Sequence, residues 1–354
     1  MHTMRNKWLF IALIASLCLT GCETEFSPNA DWKNIPSIFC VLDQDDDTTF
    51  VRLQKCYLGN GNLYSYSGIR DSIFYPEDAV SVAINVWNSM DDMNRGDARP
   101  VKILDFAYSE IDGKEAGDFA SERQPIYYHV NQAGELSPDY VYQLVVTDRR
   151  TNKQLASAST ILVGNEDPNK GWLVNPFPAD GPNPNSKTFN MLTGRCEIKW
   201  RQLANGRRYQ PSIRFFYRYR YAPDSLRFCD INCNQITTNG ISNELSTYVE
   251  KWHYLEEIKK QLVDDTCHKL FVDTVMIRMY ACNEDFNAYI ATTTDNNSTT
   301  QDRLIYSNIE GGVGVFGSRR THLQRKVLAD NGDNPNGMHH LLEDLHVGFE
   351  QSPR

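Results

Sequence analysis

The chain has 354 residues, with 36 Lys and Arg against 45 Asp and Glu, which gives a formal net charge of −9. An acidic chain is a poor electrostatic ligand for nucleic acid and for anionic lipid, so the composition argues against both classes of partner. Hydrophobic residues make up 41% and charged residues 23%, the proportions of a globular protein rather than a disordered one. The length is comfortable for two domains.

The first 21 residues show, in order, the features of a bacterial lipoprotein signal peptide. Arg5 and Lys7 precede an apolar run, Trp8 to Leu19, that is too short to span a bilayer comfortably as a helix. The run leads into Leu19-Thr20-Gly21-Cys22, which resembles the lipobox. We therefore expect residues 1–21 to be a signal peptide and Cys22 to carry lipid, including palmitate, which is sufficient for stable anchoring. An ordinary secretory signal and a retained transmembrane anchor are the alternatives.

Residues 22–34 are predicted to be a polar tether. Glu23 and Glu25 follow Cys22, and acidic residues there resemble the signal that sends lipoproteins of Bacteroidota to the outer cell surface. The alternative is a solvated acidic spacer, which a lipoprotein needs in any case. Loss of Arg5 and Lys7 with the signal peptide lowers the formal net charge from −9 to −11 and leaves 333 residues.

Residues 35–164 contain short, β-rich runs separated by turn-forming segments. Two runs flank the acidic segment 43–47 and predict a hairpin, and Tyr140–Thr147 is the clearest strand. The predicted strands are 37–42, 49–57, 80–87, 101–104, 125–130, 140–147 and 154–163. Short strands at nearly regular spacing, without a convincing helix, predict a β-sandwich of the immunoglobulin or fibronectin type.

Turn-forming residues at 165–172 predict a domain boundary. Residues 172–320 are predicted to form a β-rich α+β domain, with strands at 195–201, 212–221 and 271–280 and a short helix at 283–291. Residues 321–354 are predicted to be a polar C-terminal extension. A second helix is predicted at 243–263 because its apolar residues recur at helical spacing. The stripe consists of Leu245, Val249, Trp252, Leu255, Ile258 and Leu262.

Seven cysteines remain after Cys18 leaves with the signal peptide and Cys22 takes lipid. They are Cys40, Cys56, Cys196, Cys229, Cys233, Cys267 and Cys282. An exported chain can form disulfides, and an odd number leaves at least one thiol without a partner in the chain. Cys40 and Cys56 flank the predicted hairpin turn, and Cys229 and Cys233 bracket a predicted turn, so these are the candidate disulfides. The alternatives are several buried free thiols, or a zinc site that uses Cys229, Cys233 and His268.

Two motifs resemble known ligand-binding loops but lack the required context. Gly312-Val-Gly-Val-Phe-Gly317 satisfies G-x-G-x-x-G, yet the 37 residues after Gly317 are too few for a dinucleotide-binding domain. We therefore predict glycines where backbones approach closely or bend. Asp43, Asp45 and Asp47 alternate as in a calcium loop, but Thr48 and Gln54 replace the required glycine and glutamate. An EF-hand is excluded, and a loose surface calcium site remains as an alternative.

The predicted strand 212–221 separates two kinds of side chain. Ile213, Phe215, Tyr217, Tyr219 and Tyr221 share one face, and Arg214, Phe216, Arg218 and Arg220 share the other. The arginine row is interpreted either as a solvated face with cation–π support or as an anion or substrate site. His339, His340 and His346 are a further alternative for metal binding, in a segment predicted to be mobile.

No nucleophile elbow, zinc-protease helix or P-loop occurs in the sequence, so we expect neither an enzyme nor a cofactor. Acidic pairs such as Asp264-Asp265 do not identify a glycosidase, because that test is geometric.

Several segments together resemble a known family. Leu304-Ile-Tyr-Ser-Asn-Ile-Glu-Gly-Gly-Val-Gly-Val-Phe-Gly317 is similar to the closing motif of a Bacteroidota outer-membrane lipoprotein family catalogued as domain of unknown function 4249. Tyr140–Asp148 with Ala158-Ser-Thr160 resembles the end of that family's N-terminal β-domain, and Phe286–Ile290 its short helix. The resemblance covers roughly residues 20–320, and the extra cysteines and the segment after Gly317 depart from it. The family implies no catalytic residues.

The resemblance implies an accessory of TonB-dependent, SusC/SusD-type nutrient importers. The expected function is thus a non-enzymatic lipoprotein, anchored by lipid in the outer membrane at the cell surface, that binds a ligand or a partner such as the transporter or another surface lipoprotein. An adhesin or structural envelope component is the first alternative, and a hydrolase of glycan or peptide is the second.

Overall fold

The computed structural model describes residues 35–56, 67–112, 123–164, 173–175, 188–192, 194–239, 244–294, 306–330 and 337–350. Of these, 52% lie in strands and 15% in helices, so the predicted mainly β fold is confirmed. The signal peptide, the tether and Cys22 lie outside the described residues.

Among the described residues, the N-terminal region contains eight strands and two short helices. The strands are β1 (Pro36–Leu42), β2 (Thr48–Lys55), β3 (Val80–Trp87), β4 (Lys102–Asp105), β5 (Ala107–Ile111), β6 (Gln124–Val130), β7 (Val141–Asp148) and β8 (Lys153–Ile161). The helices are α1 (Arg70–Ile73) and α2 (Met90–Asn94). Each predicted strand in this region corresponds to an observed one. Alternating side chains give β3 one buried face.

Two sheets pack around the core of this region. One contains the order β1-β2-β6-β5, and the other has the order β4-β3-β7-β8. The two sheets form a sandwich-like arrangement. Buried residues of both sheets, such as Leu42, Leu53, Ile84 and Leu144, form one apolar cluster.

A tyrosine corner fixes the entry into β7. The Tyr142 hydroxyl donates to the Ser137 carbonyl at 3.0 Å and accepts from the Ser137 amide at 2.8 Å. Tyr142 is fully buried, so these two bonds satisfy a hydroxyl that would otherwise be unpaired in the core. A tyrosine at this position is a hallmark of immunoglobulin-like sandwiches.

The described part of the C-terminal region contains nine strands and three helices. The strands are β9 (Leu173–Asn175), β10 (Thr188–Phe189), β11 (Arg195–Arg201), β12 (Arg208–Tyr219), β13 (Ala222–Asn232), β14 (Ile236–Thr237), β15 (Glu244–Glu250), β16 (Lys269–Cys282) and β17 (Val313–Leu328). The helices are α3 (Lys251–Leu262), α4 (Glu284–Thr294) and α5 (Met338–Glu343).

A large antiparallel sheet, β13-β12-β16-β17, forms one layer of this region. A small sheet with the order β15-β11-β9 and helix α3 contribute to the same core. Ile213 and Phe215 of the large sheet, Trp200 of the small sheet and Tyr254 of α3 are fully buried there.

Strand β17 joins the two regions. Residues Val313–Ser318 pair in parallel with β1, and residues Arg319–Val327 pair antiparallel with β16, so one sheet runs through both regions. The predicted polar extension at 321–354 was therefore wrong. Residues 321–328 belong to the sheet. The apolar side chains of Met338 and Leu342 in α5, and of Phe349 after it, pack into the core of the C-terminal region.

The predicted helix at 243–263 is a helix only in its second part. Residues Glu244–Glu250 form β15, and the helix begins at Lys251. Tyr254, Ile258 and Leu262 form its buried stripe, whereas the Trp252 side chain is 64% exposed. Val249 is buried in both the prediction and the structure, but as a strand residue paired with Cys196. The short helix predicted at 283–291 is observed as α4.

Candidate functional site

The face of the large sheet that points away from its core carries both exposed apolar side chains and arginines. We call it the outer face and define it by alternate residues of β12, β13, β16 and the second part of β17. They are Arg214, Phe216, Arg218, Leu226, Phe228, Asp230, Met276, Arg278, Leu323, Arg325 and Val327. The alternation arises because successive side chains in a strand point to opposite faces, so Ile213, Phe215 and Tyr217 fill the core.

One carboxylate organises two arginines at the middle of the outer face. Arg214 binds Asp230 through two bonds, Nε to Oδ1 at 2.8 Å and Nη2 to Oδ2 at 2.7 Å. Arg278 donates from Nη1 to the same Oδ2 at 2.9 Å. The hydrogen bonds from Arg214, with its charge and that of Arg278, hold the pKa of the Asp230 carboxyl below its usual range. The carboxylate therefore stays ionised, and it offsets one of its two cationic neighbours.

Apolar side chains flank this cluster on both sides. Leu226, Phe228 and Leu323 are each half exposed or more, and Val327 nearly so. The Arg214 guanidinium lies 3.6 Å from the centre of the Phe228 ring, a cation–π contact that orients both side chains. Exposed aromatic and aliphatic side chains beside arginines are the composition of the centre of protein–protein interfaces.

The predicted arginine row is present only in part. Arg214 and Arg218 share the outer face with Phe216, but Arg220 lies beyond the end of β12 and pairs with Glu350. The sequence reasoning missed the apolar members on β13 and β17. Their signal is the alternation of Leu226, Phe228 and Asp230, which leads into the turn predicted between Cys229 and Cys233.

The acidic hairpin between β1 and β2 is engaged by arginines of β17. Arg319 lies 3.4 Å from Asp43 and 3.1 Å from Asp46, and Arg320 lies 3.4 Å from Asp45. Asp43 is buried, and this desolvation raises the pKa of its carboxyl. Within the described ranges, no group of three or more His, Cys, Asp or Glu side chains is arranged to hold a metal ion. These ion pairs attach the hairpin to β17. They take the place of the loose surface calcium site that the sequence left as an alternative.

The register of β1 and β2 excludes the candidate disulfide between Cys40 and Cys56. Cys40 pairs with Val51, whereas Cys56 lies opposite Ile35, five residues further along β1. At about 3.3 Å per residue the two thiols are more than about 15 Å apart, far beyond disulfide reach. Both cysteines are free.

Cys229 and Cys233 are also free, because the predicted turn between them is the extended end of β13. Four residues of strand separate their Cα atoms by about 13 Å. Burial raises the pKa of each thiol to about 12, so both are protonated and unreactive at neutral pH. The zinc site with Cys229, Cys233 and His268 is excluded too, because the described residues hold no group of three such side chains placed to bind one metal ion. His268 pairs with Glu350 instead.

Two glycines of the G-x-G-x-x-G motif, Gly314 and Gly317, lie where another part of the backbone or a helix approaches closely, as predicted from the sequence. Gly314 has φ +116°, and a Cβ there would collide with the Ile38 carbonyl of β1. A Cβ on Gly317 would lie 2.9 Å from the Phe286 Cβ of α4. Asn308 holds the same segment, because its side chain accepts from the Phe316 amide at 2.9 Å and donates to the Phe316 carbonyl at 2.7 Å. The prediction of close backbone approach is confirmed.

The C-terminal histidines do not form a group of three among the described residues, although the rings of His339 and His340 lie 4.1 Å apart. His339 pairs with Asp330, and His340 lies 3.5 Å from Glu343 within α5. His346 adopts a positive φ of 56° after the helix.

No helix within the described segments is long and apolar enough to cross a membrane. The chain matches no protein-family model and no curated protein.

Proposed function

We propose that this chain is a non-enzymatic, lipid-anchored lipoprotein of the outer-membrane surface that binds a partner protein as an accessory of a TonB-dependent, SusC/SusD-type importer. The observation that carries the proposal is the outer face, which combines exposed Leu226, Phe228 and Leu323 with arginines. The lipobox at Cys22 and the resemblance of the closing motif support the location.

Charge favours a partner with an acidic, partly apolar surface. Of the residues that define the outer face, four are arginines, Arg214, Arg218, Arg278 and Arg325, and one is a carboxylate, Asp230. The whole chain is acidic, with a net charge of −9, so this positive face contrasts with the rest of the molecule. Complementary potentials steer association and select partners, while buried aromatic and arginine side chains supply most of the affinity.

The proposal is tested by purifying the full-length protein from detergent-solubilised membranes and identifying co-purified proteins by mass spectrometry. We expect a TonB-dependent transporter with the wild type. The double variant F228E/L323E places carboxylates on the outer face and is expected to lose the transporter. The matched control W252E alters an equally exposed residue on α3, outside the outer face, and should retain it.

Cys22→Ala is expected to abolish labelling by palmitate and to release the protein from membranes. Retention of the transporter by F228E/L323E, or recovery of self-associated chains in place of a transporter, would overturn the proposal. Self-association would favour the structural envelope alternative.

A further inference from the structure

The first sheet of the sandwich carries an exposed apolar surface on the side away from its core. Successive side chains in a strand point to opposite faces, and Cys40, Val51 and Tyr127 point into the core. The side chains that alternate with them therefore point outwards from β1, β2 and β6. We call this surface the aromatic face and define it by Phe39, Phe50, Arg52, Ile126, Tyr128 and Val130.

The strand register makes the aromatic face continuous. Phe50 is directly opposite Tyr128, and Phe39 is directly opposite Arg52, so these side chains are neighbours across three strands. Phe50 and Val130 are each half exposed or more, and Phe39 is 41% exposed. A contiguous exposed apolar patch of this kind marks a surface that binds an apolar partner.

Helix α4 covers the neighbouring part of the same sheet. The rings of Phe286 and Tyr289 lie 6.2 Å and 5.8 Å from the Phe39 ring, centre to centre, and Gly317 of β17 lies under Phe286. The cover that α4 provides thus reaches β1, and the aromatic face begins where this cover ends.

The predicted lipid anchor is close to the aromatic face along the chain. Phe39 belongs to β1, which begins at Pro36, 14 residues after Cys22. Even when fully extended, a segment of that length spans only about 50 Å. An anchored chain therefore keeps this face at a high effective concentration beside the membrane, where weak apolar contact is sufficient for binding.

We propose that the aromatic face rests on the membrane surface that the acyl chains of Cys22 enter. The inference rests on the lipid anchor of the proposed function, and it adds the orientation of the folded part. Aromatic and aliphatic side chains bind at the boundary between headgroups and acyl chains. Tyr128 suits this boundary because its ring is apolar and its hydroxyl is polar.

Charge selects a zwitterionic lipid over an anionic one. Of the six residues that define the aromatic face, only Arg52 is charged, so apolar contact supplies the attraction. The acidic segment 43–47 comes directly before β2, and the whole chain has a net charge of −9. Both repel anionic headgroups.

The twist of the sheet leaves the outer face free for a partner protein. Phe39 is opposite Val315 in β17, and alternation along β17 places Leu323 on the same side of the sheet as Val315. Five strand-to-strand steps separate β2 from β13. At about 20–25° of twist per step, the aromatic face and the outer face point in directions at least about 100° apart. A flat membrane can thus contact the first without covering the second.

The test uses the full lipidated protein, purified from membranes and reconstituted into vesicles of phosphatidylcholine with brominated acyl chains. Bromine quenches tryptophan at short range, and the wild type serves as the blank for the native tryptophans. We expect quenching of at least about twofold for the added tryptophan of Phe50→Trp, because an interfacial side chain reaches the acyl boundary. The matched control Phe228→Trp changes an equally exposed residue of the outer face and should not be quenched.

Two further measurements separate apolar contact from charge. Val130→Glu, added to the Phe50→Trp chain, places a carboxylate beside the probe and should remove most of the quenching, whereas Leu323→Glu in the same chain should leave it unchanged. Replacing about a third of the phosphatidylcholine with phosphatidylglycerol should weaken the quenching, and salt at about 0.5 M should restore it. All variants should keep the urea midpoint of the wild type, since the altered side chains are exposed.

The outcomes distinguish this proposal from the proposed function. Equal quenching of Phe50→Trp and Phe228→Trp, or none of Phe50→Trp, contradicts the inference. A dimer that forms without lipid and that Val130→Glu dissociates does so too, because a second copy then occupies the aromatic face. Wild type that does not sediment with the vesicles refutes the anchor and the inference together. The vesicles hold no transporter, so failure to recover a transporter leaves the quenching result intact.

Discussion

The two parts of β17 are one strand with two different sequence patterns. Val313–Ser318 is small and glycine-rich, while Arg319–Leu328 is charged and alternates. The first part is enclosed, with Phe316 in the sandwich core, Gly317 under Phe286 of α4 and Gly314 against β1. In the second part, Leu323, Arg325 and Val327 lie on the exposed outer face. The contrast teaches that burial on one face or on two, rather than strand propensity, sets which residues a strand tolerates.

The largest effect should come from adding a single methyl group in the enclosed part. Gly314→Ala introduces a Cβ at φ +116° against the Ile38 carbonyl, and β1 cannot move without breaking the sheet. We expect the free energy of unfolding to fall by more than about 3 kcal/mol, measured by urea denaturation. The control Arg325→Ala, in the exposed part, should change it by less than about 0.5 kcal/mol. Equal effects at the two positions would remove the contrast.

A side-chain truncation sharpens the same comparison. Phe316 is fully buried and Leu323 is 54% exposed, although they are seven residues apart in one strand. Phe316→Ala should cost about 3–5 kcal/mol through lost burial and the cavity that remains. Leu323→Ala should cost less than about 0.5 kcal/mol. Thermal and urea unfolding of both variants provide the measurement, and a small loss for Phe316→Ala would mean that the enclosed part is not packed as described.

The smallest effect is expected on the outer face and depends on pH. The folded-state pKa of Asp230 is depressed by Arg214, so the carboxylate stabilises the fold above its unfolded pKa of about 4 and loses this effect as the pH falls further. Asp230 is one-third exposed, so we expect Asp230→Asn to cost only about 1 kcal/mol near pH 7. The difference between wild type and variant should shrink below about pH 4. A difference that is constant down to pH 3 would show that the charge of Asp230 is not its source.

Local pattern predicted most of the strands because alternation reports one buried face. β3, β7 and β12 are clear in this respect, because buried and more accessible side chains alternate along each of them. The prediction of a helix at 243–250 was wrong, because a spacing of four residues between apolar side chains fits a strand as well as a helix. Leu245 and Val249 are four residues apart, which suits a helix face and also suits one face of β15.

The cleft lined by Glu77, Phe106, Tyr108 and Arg149 had no signal in the sequence, because these residues are far apart along the chain and only the packing of the two sheets brings them together. The same holds for the ion pair between Asp43 and Arg319, which are more than 270 residues apart along the chain. Contacts of this kind depend on the register of paired strands, and register is a property of the whole sheet.

The sequence by itself determined the mainly β class, most strand positions, the glycine requirement near 314–317 and the expectation of a lipid anchor at Cys22. Each of these depends on composition, periodicity or short-range order along the chain. Only the tertiary structure decided that β17 unites both regions, that Cys40, Cys56, Cys229 and Cys233 form no disulfide with one another, and that Met338, Leu342 and Phe349 belong to the core. The physical reason is that these features depend on which strands pair and in what register, and such long-range pairing leaves no local pattern.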